Sequence, residues 1–187
     1  MGVTTYTHEA STTVAPTRLF KALVLDVDNL IPTLLPQIVN NIETVEGDGG
    51  VGSIKRMNFV EGIRLSSTGK LSMDDNDDEG GIQHSALKDG PIKYLKHKLH
   101  VIDDKNLVTK YSLIEGDVLG DKLESITYDV KFETSANGGC ICKTSTEYHT
   151  KGDYVFKEEE HNEGKDKAME LFKAVEDYLL ANPAVYA

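Results

Sequence analysis

Tryptophan is absent from this chain of 187 residues, and cysteine occurs twice, at Cys140 and Cys142. The i, i+2 spacing of Cys140-Ile141-Cys142 puts both thiols on one face of a strand, a poor arrangement for a disulfide between them. One C-x-C without a second cysteine pair is also a poor zinc site, so reduced structural thiols are expected. Cations are outnumbered: 20 Lys and Arg stand against 31 Asp and Glu, a formal net charge of -11. Neutralising phosphates takes clustered Lys and Arg, so this balance argues against nucleic acid as a partner and against anionic membranes. No apolar run approaches the ~20 residues of a membrane span. Met1-Gly2-Val3-Thr4-Thr5-Tyr6 lacks the basic-then-apolar order of a secretory signal, and Tyr6 stands where myristoylation wants Ser or Thr. The expectation is a soluble cytoplasmic protein with no membrane partner. His8, His84, His97, His100, His149 and His161 are scattered. No H-x-x-x-H pair falls on an expected helix, so neither a metal site nor a cofactor is expected.

What the chain does contain is one domain's length of core-forming sequence, organised around a glycine-rich stretch at 46–55. Gly47, Gly49, Gly50 and Gly52 permit positive φ and a tight fold there. A phosphate-binding loop would need G-x-x-x-x-G-K-[ST] opening a helix, but Ser53-Ile54-Lys55-Arg56-Met57-Asn58-Phe59 reads as strand. Gly69-Lys70 fails similarly, with Leu71 in place of the hydroxyl. The glycines therefore predict a rigid loop between two strands, 39–45 and 53–59.

Around that loop the periodicities are clear. Residues 3–13 suit a first strand, and 15–25, with Pro16 near the start and Leu19, Phe20, Leu23 and Val24 apolar, a short amphipathic helix. A second short helix is expected at 28–35, with Pro32 in its first turn and Pro36 ending it. Strands follow at 92–102, 107–115, 122–134 and 140–148, with Asn137-Gly138-Gly139 as the last turn. Ala168, Leu171, Phe172, Val175, Tyr178 and Leu179 form one apolar stripe along a helix at 158–180. Antiparallel hairpins wrapped on that helix are the expected topology.

Residues 63–90 break the pattern. They show no sustained periodicity and contain Asp74-Asp75-Asn76-Asp77-Asp78-Glu79-Gly80-Gly81, which cannot bury enough apolar surface to offset its ordering entropy. A flexible insertion is expected. Residues 75–86 partly imitate a calcium loop, but Ala86 occupies the position of the bidentate Glu.

Six segments in this order resemble one known family. They are Ala15-Pro16-Thr17-Arg18-Leu19-Phe20-Lys21-Ala22, Asp28-Asn29-Leu30-Ile31-Pro32, the 46–55 loop, Tyr111-Ser112-Leu113-Ile114-Glu115-Gly116-Asp117, Tyr148-His149-Thr150-Lys151-Gly152-Asp153 and Ala174-Val175-Glu176-Asp177-Tyr178-Leu179-Leu180. The chain resembles the plant pathogenesis-related class-10 proteins, the family of the major birch pollen allergen, everywhere except 63–89. The resemblance implies an α+β helix-grip fold. A seven-stranded curved antiparallel sheet surrounds a long C-terminal helix, two short helices follow the first strand, and a large apolar cavity lies between. It implies a monomeric carrier of small hydrophobic or amphipathic metabolites or hormones of cytokinin, flavonoid or steroid type, linked to defence and stress. It also places the insertion near the cavity mouth, where a lid would sit. The same insertion begins where genes of this family carry their intron, so retained intron sequence is the other origin considered.

Strand alternation puts Met57 with Phe59, Tyr111 with Leu113, and Ile126 with Tyr128 on shared faces. That pattern serves a packed core or a pocket of apolar walls with a few polar groups, and the resemblance favours the pocket. Tyr94 and His97 on the 92–102 strand, with Leu171 and Val175 on the long helix, complete the expected wall. A ribonuclease or metabolite-converting enzyme is the alternative. The ribonuclease residues the resemblance implies are Lys55, Glu124, Glu176 and Tyr178. Against it stand the charge and the lack of any histidine pair in the sequence.

Overall fold

The computed structural model describes residues 1–65, 71–73 and 90–187. Seven antiparallel strands form the main sheet: β1 (Gly2–Thr12), β2 (Val39–Glu46), β3 (Ile54–Phe59), β7 (Tyr94–Asp103), β8 (Val108–Gly116), β9 (Leu123–Thr134) and β10 (Cys140–Thr150). Their order across the sheet is β1-β10-β9-β8-β7-β3-β2, so the hairpins β7-β8-β9-β10 lie side by side and β1 returns to pair with β10 from Gly2↔Thr150 to Thr12↔Cys140. β4 (Ile63–Leu65), β5 (Leu71–Met73) and β6 (Gly90–Pro91) make a separate small sheet in the order β5-β4-β6. The expectation of 63–90 without regular structure missed these strands, because segments of two or three residues are too short to carry a period. The acidic run at 74–81, the calcium-like loop at 75–86 and most of the suggested lid lie outside the described residues.

Among the described residues the α-helices are α1 (Pro16–Phe20), α2 (Val27–Leu34) and α3 (Glu158–Ala181), and a 3-10 turn spans Asp117–Leu119. The helix expected at 15–25 continues past Phe20 as a π-helical segment, Lys21–Leu25. Pro32 lies inside α2 rather than in its first turn, because the helix begins at Val27; two residues later it ends at Leu34. At the start of α3 the Lys157 N–H donates to the Glu160 carboxylate at 2.9 Å, and the Tyr154 hydroxyl donates to the same group, so this buried acid satisfies an otherwise orphaned helix-start donor. Along α3 Phe172, Val175 and Leu179 are buried as the stripe requires, while Ala168 is exposed.

Burial divides the interior into two clusters. One gathers Leu19, Phe20, Leu30, Ile31, Val130, Phe132, Cys140, Cys142, Phe172, Val175 and Leu179. Burial pushes Cys140 up to about 11 and Cys142 to about 12, so both remain thiols packed as small apolar groups. The other cluster gathers Leu113, Leu119, Leu123, Ile126, Tyr148 and Phe156. Among the described residues Tyr128 alone packs on both.

The chain's end is tied to its beginning. Arg18 of α1 donates to the carbonyls of Leu179, Asn182 and Val185, and the Tyr186 hydroxyl donates to Asp26.

Candidate functional site

Between the two clusters, strand alternation still turns every second side chain inward, and the side chains found there carry polar rings. His97 of β7 meets Tyr111 of β8 edge-on with ring centroids 5.5 Å apart. Tyr111 and Tyr128, direct partners in the β8–β9 register, stack at 5.0 Å. Tyr148 of β10, which adds to the field around Tyr128, hydrogen-bonds His161 Nδ1 of α3 at 2.9 Å. From β1, Tyr6 stacks on His161 at 4.8 Å, and His8 lies 5.9 Å from it between centroids. These rings form a belt across the inner sheet and up to the helix.

Burial dominates their chemistry. It holds His97 down to about 4, and it holds His161 to about 4 with added repulsion from His8 and Lys165. Burial and then Lys165 lower His8 as well, so all three imidazoles favour the neutral form. Tyr111 is pushed up to about 12 by burial, and Tyr128 also rises well above the ordinary phenol value. Tyr148, raised by burial and then by Tyr6 and Glu160, keeps its proton and shares one hydrogen bond with His161 Nδ1.

Partners are unevenly distributed along the belt. His97, Tyr111 and Tyr128 are half-buried, deeply enclosed by protein, and without a hydrogen bond among the described residues. At the other end His161 is 4% exposed, yet His161 Nε2 and His8 Nδ1 are sealed from solvent without a hydrogen-bond partner among the described residues. Lys167 Nζ on α3 is likewise sealed and without a hydrogen-bond partner among the described residues, and burial lowers it to about 8.

Of the expected wall residues, the structure brings His97, Tyr111 and Tyr128 together. Met57, Phe59 and Leu171 are half-buried against the first cluster. Val175 is sealed within that cluster, and Leu113 and Ile126 within the second. Tyr94 is a correction. It stands three residues from His97, an odd spacing that turns it to the outer face; there its hydroxyl donates to Glu115 at 2.6 Å and Arg56 lies 4.1 Å over its ring. Sequence reasoning missed Tyr6, His8, Tyr148 and His161. His161 lies two heptads before Val175, the one available sign that it faces inward.

The ribonuclease set is not assembled by any hydrogen bond or ion pair among the described residues. Lys55 is held by Asp28 at 2.7 Å, Glu124 is exposed on β9, Glu176 is held by Lys173 at 2.7 Å, and Tyr178 packs on the first cluster. The sequence offered no histidine pair, but the fold makes one from His8 and His161 at opposite ends of the chain. Burial lowers the protonation of both rings, which disfavours a polyanion there.

The glycine loop joins β2 to β3. Gly47, Gly49 and Gly52 adopt φ of 89°, 95° and 88°, and a Cβ on Gly47 would meet Ser53 Oγ at 2.4 Å. Gly50 lacks a positive φ; its N–H donates to Asp48 Oδ1 at 2.9 Å, and the Gly49 N–H donates to Ser53 Oγ at 2.9 Å. The Gly52 N–H is bonded to the Leu99 carbonyl of β7.

Comparison with known proteins agrees with this architecture. The model of the Pathogenesis-related protein Bet v 1 family matches residues 1–68 and 67–182, in two pieces that meet inside the 63–90 stretch. Pathogenesis-related protein STH-2 of Solanum tuberosum is 65% identical over 187 residues, covering 100% of both chains. Major strawberry allergen Fra a 1-2 of Fragaria ananassa is 46% identical over 100% of this chain and 99% of its own. The crystal structure of Ara h 8.0201 superposes with a TM-score of 0.73 at 35% identity, covering 97% of this chain and 100% of that one. Norcoclaurine synthase from Thalictrum flavum shares the fold with a TM-score of 0.66 at 22% identity, over 96% of this chain and 87% of that one. With a family model spanning nearly every element of sheet and helices, and relatives alike from end to end, the chain belongs to the Bet v 1 family of pathogenesis-related proteins.

Proposed function

We propose that this protein is a cytoplasmic, monomeric carrier of small amphipathic molecules, of cytokinin, flavonoid or steroid type, held in an internal cavity between the curved sheet and α3. The names of its relatives support a setting in defence. One observation carries the reading: His97, Tyr111 and Tyr128 are enclosed by protein, yet keep accessible surface and have no hydrogen-bond partner among the described residues. Close-packed cores leave little such surface on interior side chains, and buried polar groups in them are paired. Side chains around a ligand cavity have both properties, an apolar surround and a few placed donors.

Titration with an anilinonaphthalene dye, followed by displacement with hydroxylated flavonoids and cytokinins, tests the proposal. Saturable binding and recovery of the displacing ligand unchanged are expected. Tyr111→Phe and Tyr128→Phe each remove one hydrogen bond and should weaken a hydroxylated ligand about 3- to 10-fold while the fold persists. A dye signal that never saturates overturns the carrier reading, and chemical conversion of the ligand replaces it with an enzyme.

A further inference from the structure

The first half of α3, residues 158–167, contains no apolar side chain, whereas the second half buries Phe172, Val175 and Leu179. Gly164 stands within that polar half and lowers its intrinsic helix stability. Its fastenings are polar. Glu160 is engaged by the Tyr154 hydroxyl and the Lys157 N–H, and His161, 4% exposed, is hydrogen-bonded to Tyr148 of β10 and stacked on Tyr6 of β1. They are also incomplete: His161 Nε2, Glu163 Oε2 and Lys167 Nζ on the helix, and His8 Nδ1 on the facing strand, are sealed without a hydrogen-bond partner among the described residues. Such atoms destabilise the closed form, and each regains water when this half opens. A segment held in this way opens more readily than the elements around it. Apolar anchors bracket it, with Phe156 buried in the second cluster and Phe172 in the first.

Charge sets the condition for opening. Around His161 stand Tyr6 and His8 from β1, Tyr148 from β10 and Lys165 from α3 itself; His161 and Lys165 stand around His8. The carboxylates of Glu158, Glu159 and Glu160 act on Tyr6, and that of Glu160 on Tyr148. A proton on either imidazole lands beside Lys165 and the other ring, so strand and helix repel until water reaches them.

We propose that residues 158–167 form an acid-released flap over one end of the interior, latched by His161 against β1 and β10 and opened by protonation of His161 and His8. The ring belt runs from Tyr128 past Tyr148 to His161, so the flap closes its helix end. Release of a guest through the flap rests on the carrier reading; the opening itself does not. Closed, His161 titrates at about 4, and open, at the ordinary 6.5, so the open form binds more protons between those values. Its population rises on the order of 50-fold from pH 7 to pH 4.5.

Amide hydrogen exchange of the full-length protein, corrected for the intrinsic pH dependence of exchange, tests the flap. Protection of amides 161–167 should fall by about tenfold or more between pH 7 and pH 4.5, while that of 172–181 holds. His161→Gln, polar but without a titrating ring, should remove most of the fall, and His8→Gln part of it. Equal loss in both halves, no loss in 161–167, or a fall that survives in both variants overturns the flap. An anilinonaphthalene dye bound at pH 7 should leave the wild type about tenfold faster at pH 4.5, but not His161→Gln. Exchange as expected with an unchanged dye rate overturns the release role and keeps the flap. Exchange as expected with no dye bound at either pH overturns the carrier reading instead.

Discussion

Phe20 and Tyr128 both face the interior, and both pack on the same apolar cluster, yet they are buried in different senses. Phe20 is 1% exposed, edge-on to Phe132 at 5.5 Å, among side chains that offer nothing but dispersion. Tyr128 is stacked on Tyr111 and enclosed by protein, but it keeps accessible surface and its hydroxyl has no partner among the described residues. Phe20 stands on α1, but its partner Phe132 lies four residues after Tyr128 on the same inward face of β9, so one strand borders both environments. The difference teaches that the two clusters hold the fold up, while the belt between them is left chemically incomplete.

Mutations should separate these two roles. The largest effect is expected at the sealed end: Phe20→Ala should cost ~3–5 kcal/mol in urea unfolding, the usual range for emptying an aromatic site that cannot collapse. A cost as small as that of the belt substitutions would erase the distinction between the two regions.

Acid should weaken the belt next. His97 and His161 titrate near 4 in the folded protein and near 6.5 when unfolded, so between those values the unfolded chain binds more protons. Stability is complete above 6.5 and falls as the pH drops toward 4, with His161 alone contributing on the order of 3 kcal/mol. Unfolding curves at a series of pH values check this, and His161→Phe should flatten the slope. A slope unchanged in that variant would place the proton uptake elsewhere.

The smallest effect belongs to the outer face. Tyr94→Phe gives up an exposed hydrogen bond to Glu115 and should shift stability by no more than ~0.5 kcal/mol, leaving dye affinity unchanged. Weakened binding in this variant would put the ligand on the wrong side of the sheet.

Much of the fold was legible because its signals are local and periodic. Leu171, Phe172, Val175 and Leu179 announce α3, and the glycines at 47–52 announce the β2–β3 turn. Tyr111 and Tyr128 were legible as inward-facing by alternation, while their place in a pocket wall came from the family resemblance. The same rule, applied to the odd spacing between Tyr94 and His97, would have removed Tyr94. His8 and His161 were not legible, since one lies on the first strand and the other on the last helix, and only the closed sheet brings them into contact. The short strands β4 and β5 escaped because three residues cannot display a period of two.

The hydrogen bonds of the β2–β3 loop bear on what that loop can recognise. Gly50 N–H is already occupied by the carboxylate of Asp48, and Gly49 N–H by the hydroxyl of Ser53. Backbone hydrogen bonds to that carboxylate hold Asp48 below its ordinary range, so it stays charged. The loop thus carries its own anion on a side chain, covalently supplied and permanently docked. Any phosphate arriving from solution would compete for those amides with a tethered rival, and the glycine cradle works as a staple whose occupancy is independent of nucleotide concentration.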